Sequence, residues 1–447
     1  LRRQLEDQRK LIQQQQDQIN QQTQALDRME QRLNEMAGKE VASLPAGTDV
    51  TPVVNVETSK SAPPFVDANR DGVGDLNREA IRAGDFPGSF RIPGPGKVSL
   101  SIGGFIKTAA ILDSDAEAMG ADFVPATLGT RRPDQKGAFS IDSTITRLHL
   151  DARAPTENGG KLQAYLEADL NNANDGTLGL KLRHAYGTWI TGGGMLTVGH
   201  TWSTLMDLKI LPEGLTEPTL SGPIFMRQPQ IRWSQHLGER WTLHAAIEDP
   251  NSNDVFSDQP SLGQTSVPDG ILGIEVDQPE IGHLRLNGIL RKIEVDLPGG
   301  GSDSERGWGL ALSGHVNLFE KDRLNFSGVY GQGLGRYLLG ILSTDGGAIN
   351  PSNDQFGLRD NWGVQASYSH HWSAKWRSTA MFGYARSDPL SWQIGSTLKS
   401  STYAAANLMW QVLPYLSVGA EYSYGKRENN TGPDLDNHRV MFGVQVY

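Results

Sequence analysis

Arg147, His149, Asp151 and Arg153 take every second place in the run RLHLDARA (147–154), and Leu148, Leu150, Ala152 and Ala154 take the places between. Successive side chains of a strand leave opposite faces, so a strand here has one ionisable face and one apolar face. An ionisable face of this kind can hold anions reversibly. A guanidinium is a planar fork of N–H donors matched to a carboxylate, and it stays charged at any working pH. The same arginines can instead be satisfied internally, by Asp151 or by acids on the next strand. Which outcome applies depends on the wet side. A soluble fold would bury Leu148 and Leu150, whereas a membrane barrel turns them to lipid and the charges to an aqueous lumen.

The pattern recurs along the chain. Leu162, Ala164, Leu166, Ala168 and Leu170 alternate with Lys161, Gln163, Glu167 and Asp169; Trp308, Leu310 and Leu312 lie one place off Ser313, His315 and Asn317. Leu416, Val418, Ala420, Tyr422 and Tyr424 alternate with Ser417, Glu421 and Ser423. Wrong-facing strands would each put a charge in lipid at a cost of about 2–4 kcal/mol near the midplane. The apolar parity therefore faces lipid. On the wet parity the candidate pore-lining residues are Arg147, Arg153, Lys181, Arg183, Arg232, Arg285 and Arg291, joined by Asp207, Lys209 and Arg227 from the long connector 202–227. Asp151, Glu167, Asp169, Glu248, Asp207, Glu213 and Glu217 are the acids that oppose them.

Bulk composition fits this reading. No apolar window of about 18 residues is present, so a transmembrane helix is excluded, and only 37% of residues are hydrophobic. Barrels pass such a test because only alternate residues meet lipid. With no cysteine there is neither a disulfide nor a thiolate metal site, and a net charge of -10 argues against a general nucleic-acid binder. Catalytic signatures are missing as well: no G-x-S-x-G, P-loop or H-E-x-x-H occurs, and His370-His371 alternate faces. A non-enzymatic protein without cofactor is expected.

Strands are expected near 98–113, 142–154, 160–171, 180–191, 195–201, 228–236, 240–249, 270–278, 281–292, 306–318, 322–332, 360–371, 375–386, 400–411, 415–427 and 437–447, about sixteen in all. Their connectors alternate in length. The stretches 114–141, 202–227, 250–269, 293–305, 333–359 and 387–399 are long; PTENGG, GGG, LGE, FEKD, SA and VLP are short. A sandwich has no reason to sort loops by parity, but an up-and-down barrel has tight periplasmic turns and long outer loops, with both ends of the barrel domain then periplasmic. Trp241, Trp308, Trp362, Trp376 and Trp410 fall at strand ends, where interfacial girdles sit. The connector 202–227 carries Leu205, Met206, Leu208, Ile210, Leu211, Leu215 and Phe225, too apolar for an exposed loop. It is expected to fold into the lumen as a constriction.

Residues 1–36 read as a helix with Leu5, Ile12, Ile19, Leu26 and Leu33 at one heptad position and Gln8, Gln15, Gln22, Met29 and Met36 at the other. This predicts a parallel, trimer-forming coiled coil in the periplasm, roughly 55 Å long at about 1.5 Å per residue. Residues 37–97 are a linker rich in Pro, Gly, Ser and Asp. Within it DANRDGVGDLN offers Asp67, Asn69, Asp71 and Asp75 at calcium-loop spacing, with Gly72 at the turn. The closing position of such a loop is Arg78, which is not a carboxylate, and Glu79 falls one place late. The competing reading is an Asn/Asp/Gly turn cluster followed by a short helix, with Asp75 as its N-cap and Gly84 just past its end. The chain opens at Leu1 without a signal peptide, as a mature or trimmed form would.

GSFRIPG (88–94), SIGGFIK (101–107), LRHAYGTW (182–189), GHTWSTLMDL (199–208) and IFMRQPQIRWS (224–234), together with the heptad helix, resemble the DcaP-like trimeric porins of Gram-negative outer membranes. The resemblance covers nearly the whole chain and is most specific from LRHAYGTW to IRWS. It implies a sixteen-stranded barrel in a homotrimer, a periplasmic coiled coil, and uptake of small anions such as dicarboxylates and aromatic acids. The C-terminus departs from the usual barrel ending: Tyr447 is off the outward parity of Val440, Phe442, Val444 and Val446, so either the signal is off by one or a final residue follows, the second being the expectation. The expected domains are 1–36 coiled coil, 37–97 linker and 98–447 barrel. The expected function is an anion-selective porin in contact with outer-membrane lipid and lipopolysaccharide. The alternatives are a weakly selective general porin, or a tether to peptidoglycan through the coiled coil.

Overall fold

In the computed structural model, sixteen antiparallel strands close into one barrel. They are β1 (Ser99–Asp113), β2 (Arg147–Pro155), β3 (Lys161–Asp169), β4 (Lys181–Ile190), β5 (Gly194–Trp202), β6 (Arg227–Leu237), β7 (Trp241–Glu248) and β8 (Asp269–Gln278). The second half comprises β9 (Gly282–Asp296), β10 (Ser302–Leu318), β11 (Asp322–Gln332), β12 (Asp360–His371), β13 (Trp376–Ser387), β14 (Leu398–Leu413), β15 (Leu416–Asn429) and β16 (Leu435–Val446). Each pairs with its neighbour in sequence, and β16 closes on β1 from Arg439↔Asp113 to Val446↔Ile106. The structure describes residues 82–92, 97–114, 122–129, 137–157, 159–171, 179–215, 220–250, 255–256, 265–319 and 321–447. The heptad helix, the candidate calcium residues and Glu217 lie outside them.

The barrel is apolar outside and polar inside. Leu148, Leu162, Leu272, Leu290 and Phe442 are exposed, whereas Arg183, Asn287, Asn325, Gln365 and Glu421 are buried. Aromatic rings mark both rims. Trp376 and Trp410 stack at 5.3 Å at the short-turn end, and Trp308 meets Tyr330, and Trp362 meets Tyr384, toward the long-loop end.

Four departures from the expected elements have local causes. The stretch 293–305 is no long loop, because β9 and β10 run on to a short turn at 297–301. Ile293 and Val295 pack there against Ile349 and Phe356 of the connector 333–359, so burial extends the hairpin past the barrel rim. The segment Ala138–Asp142 pairs with the upper part of β1 separately from β2. Between them the Asp142 carboxylate accepts from the backbone and hydroxyl of Thr144, an Asx turn that breaks the strand. A register shift between β3 and β4 at Glu167/Ala168 inserts Arg183, so both Arg183 and His184 are buried. The helix considered before Gly84 does not extend to Arg82–Ala83, which pairs with Phe90–Arg91 as a short ribbon against Ser99 and Leu100 of β1.

Candidate functional site

The connector between β5 and β6 enters the barrel and is fastened to the wall at successive strands. Near its start, Thr204 donates its backbone N–H to Glu248 on β7, and Arg285 on β9 donates to the Thr204 carbonyl at 2.7 Å. Asp207 then accepts from Ser313 on β10 at 2.7 Å and lies 3.0 Å from His283 on β9. Farther round, Arg377 on β13 grips Glu213 through two 2.6 Å bonds, and Glu421 on β15 accepts the Leu215 backbone N–H. Leu215 fills the space left by Gly419 and Gly443, where a Cβ would approach it within 2.8 and 3.1 Å. The loop returns past Ser401 and Gly383 to Ile224 and Phe225. Ile210, Leu215 and Leu220 are buried, which is why so apolar a connector is tolerated.

These attachments run from β7 round to β15, and the burial of the inward residues follows them. Under the loop Arg285, Asn287, Ser313, Asn407 and Glu421 are buried. On β2, β3, β4 and β6, the inward Arg147, His149, Tyr165, Tyr186 and Arg232 are half-buried, beside the buried Asp151, Asp169, Arg183 and Gln230. The loop's attachments leave part of the β2–β6 wall uncovered. That wall carries a ladder of rings, His149 to Tyr165 at 5.6 Å and Tyr165 to Tyr186 at 5.5 Å.

The model of the family described as DcaP outer membrane protein matches residues 130–441. The chain belongs to that family. Among solved structures, the outer membrane channel DcaP of Acinetobacter baumannii is similar at 21% identity and a TM-score of 0.69, over 78% of this chain and 97% of that one. An anion-selective porin from Comamonas acidovorans is similar at 10% identity and a TM-score of 0.54, over 78% of this chain and 99% of that one. Both likenesses bear on the fold. No curated protein sequence matches. The DcaP-family barrel places the protein in the outer membrane as a porin-type channel. It carries no catalytic motif, and among the described residues no group of three or more His, Asp or Glu could hold a metal.

Within this DcaP-family barrel the candidate residues divide by environment. Arg183 is 2% exposed between Glu167 at 3.0 Å and Asp169 at 2.6 Å. Arg285 and Arg291 are buried; the first holds the lumen loop, and the second bonds Asp269 and the Gly333 carbonyl. Arg153 pairs with Asp151 at 2.6 Å and lies over Phe86, and Arg147 is 3.8 Å from Glu167. Lys181 is exposed at the outer end of β4, and Lys209 pairs with Glu275 and Asp277. Arg227 stacks over Trp202 at 4.2 Å, on the parity of Pro229 and Ile231 rather than of Gln228 and Gln230. Arg232, like Lys181, forms no ion pair among the described residues, and its Nε has no acceptor there.

Several inward groups fall outside the expected set. Tyr165, Arg427 and Arg439 sit on the wet parity of their strands, so alternation already points to them. Arg336, which bonds Asp269, and Arg359, which bonds Asp345, lie at or near the ends of the connector 333–359 and carry no such signal.

Asp207 gives the loop a pH dependence. Burial pushes its carboxyl up, but hydrogen bonds from His283 and Ser313 and the nearby Arg285 outweigh this and hold it below its ordinary value. A depressed folded pKa means that the stabilisation is complete above the unfolded value and is lost as pH falls through the folded one. Current noise in single channels should rise reversibly below about pH 4. Asp207→Asn should show the same noise at neutral pH; a quiet variant would detach Asp207 from loop anchoring.

Proposed function

We propose that the channel passes small anionic solutes, mono- and dicarboxylates foremost, by passive electrodiffusion along the β2–β6 wall. The observation that carries this is the charge balance there. Arg147, Arg153, Arg183 and Arg232 face Asp151, Glu167 and Asp169, and Arg232 is the one of these four with no ion-pair partner among the described residues. A guanidinium in a narrow passage draws anions and holds them weakly enough to release. The ring ladder beside it suits planar acids. The similar Comamonas acidovorans porin is described as anion-selective, which agrees with this reading.

A homotrimer with residues 1–36 as its periplasmic coiled coil belongs to the same proposal. Its support is the heptad spacing and the small outward residues Ala152, Ala164 and Gly187, which allow close approach. The second reading, a weakly selective porin, is favoured by the pairing of Arg153 and Arg183 with acids.

The zero-current potential of the purified protein across a KCl gradient in a planar bilayer separates the two. Chloride preference, conductance steps in threes and block by succinate or phthalate are expected. Cation preference without block would leave the general porin.

A further inference from the structure

On the lipid-facing side of β6–β10 lies an apolar groove of about 660 Å³. Its floor is backbone, because Gly270 and Gly288 occupy outward positions where their neighbours Leu272 and Leu290 project. Neither glycine is needed for the backbone path. A Cβ at Gly270 would meet nothing nearer than 3.8 Å, and at Gly288 nothing nearer than 3.4 Å. What the two glycines supply is space. Above the groove, at the long-loop end, Trp308 packs on Tyr330 at the level where an interfacial ring belongs. One outward step beyond the Leu290↔Trp308 pair comes Lys292↔Arg306. Lys292 is paired with Glu294 on its own face, while Arg306 is exposed and has no acidic partner among the described residues.

We infer that this groove seats an acyl chain of a phosphorylated glycolipid in the outer leaflet, with its phosphate at Arg306 and Lys292. An acyl chain gains by filling an apolar slot, and a phosphate at the interface gains from basic side chains there. A free phosphate would ignore the groove, and a neutral lipid would ignore Arg306. The long-loop end faces the glycolipid leaflet, which selects the glycolipid over a phospholipid. This inference rests on the barrel and its orientation, not on anion selectivity.

The test uses the full chain in detergent with native mass spectrometry, titrated with purified lipid A and, separately, phosphatidylethanolamine. Lipid A should be retained in preference. Arg306→Glu should lower its retention by about fivefold or more, the weight of one basic side chain at a lipid surface, and Gly288→Leu should lower it by filling the groove. Arg306 is exposed, so its variant remains informative if Gly288→Leu fails to assemble. Equal retention by wild type and Arg306→Glu would overturn the proposal, as would equal retention of the two lipids. A change of oligomeric mass in Gly288→Leu with lipid retention intact would make the groove a contact between copies and overturn it too.

Discussion

Arg232→Glu is expected to move the zero-current potential from anion toward cation preference, the largest shift of any single substitution on the β2–β6 wall. The change is two charge units at a side chain that no carboxylate among the described residues pairs with. Four arginines against three carboxylates become three against four. Arg232 lies opposite Thr197 and Ala246, half-buried on the inward parity of β6. Arg153→Glu makes the same formal change but should shift the potential less. Its side chain is 43% exposed and already shares its charge with Asp151 at 2.6 Å. Salt provides a further check, since screening lengths fall from about 10 Å at 0.1 M to about 3 Å at 1 M. The Arg232→Glu shift should shrink at high salt. An unchanged potential at low salt would remove Arg232 from the selectivity site.

All sixteen strands are legible in the sequence because lipid outside and water inside impose a period of two on each, with turns between. The in-folded loop is legible for a related reason. Leu205, Ile210 and Leu215 need burial, and the lumen wall is where they find it. The arginines are legible as inward residues but not by role. Alternation assigns a face; it does not say that Arg285 holds a loop carbonyl or that Arg183 sits between two carboxylates. Those roles depend on which wall the loop covers, and its path is set by contacts as distant in sequence as Arg377 with Glu213. The shift that turns both Arg183 and His184 inward is likewise a property of two paired strands, invisible in either alone.

Replacing residues 203–226 by Asn-Gly should raise single-channel conductance severalfold and abolish block by dicarboxylates. The geometry permits the replacement, since Trp202 and Arg227 are direct partners across β5 and β6 and a two-residue turn closes such a hairpin. Much of the wall it would uncover is already polar. Asn287, Ser313, Asn407 and Glu421 would exchange loop contacts for water, so the barrel need not collapse. The loss falls on the apolar contacts: Ile111, Met409 and Met441 would be wetted where Leu215 now covers them. The heat-induced gel shift of the barrel should therefore move to lower temperature while the folded band persists. Retained Arg232 should keep some anion preference in the widened pore, because it sits on the wall and not on the loop. Unchanged conductance would mean that the loop lines a passage narrowed elsewhere, with the connector 333–359 the first place to look.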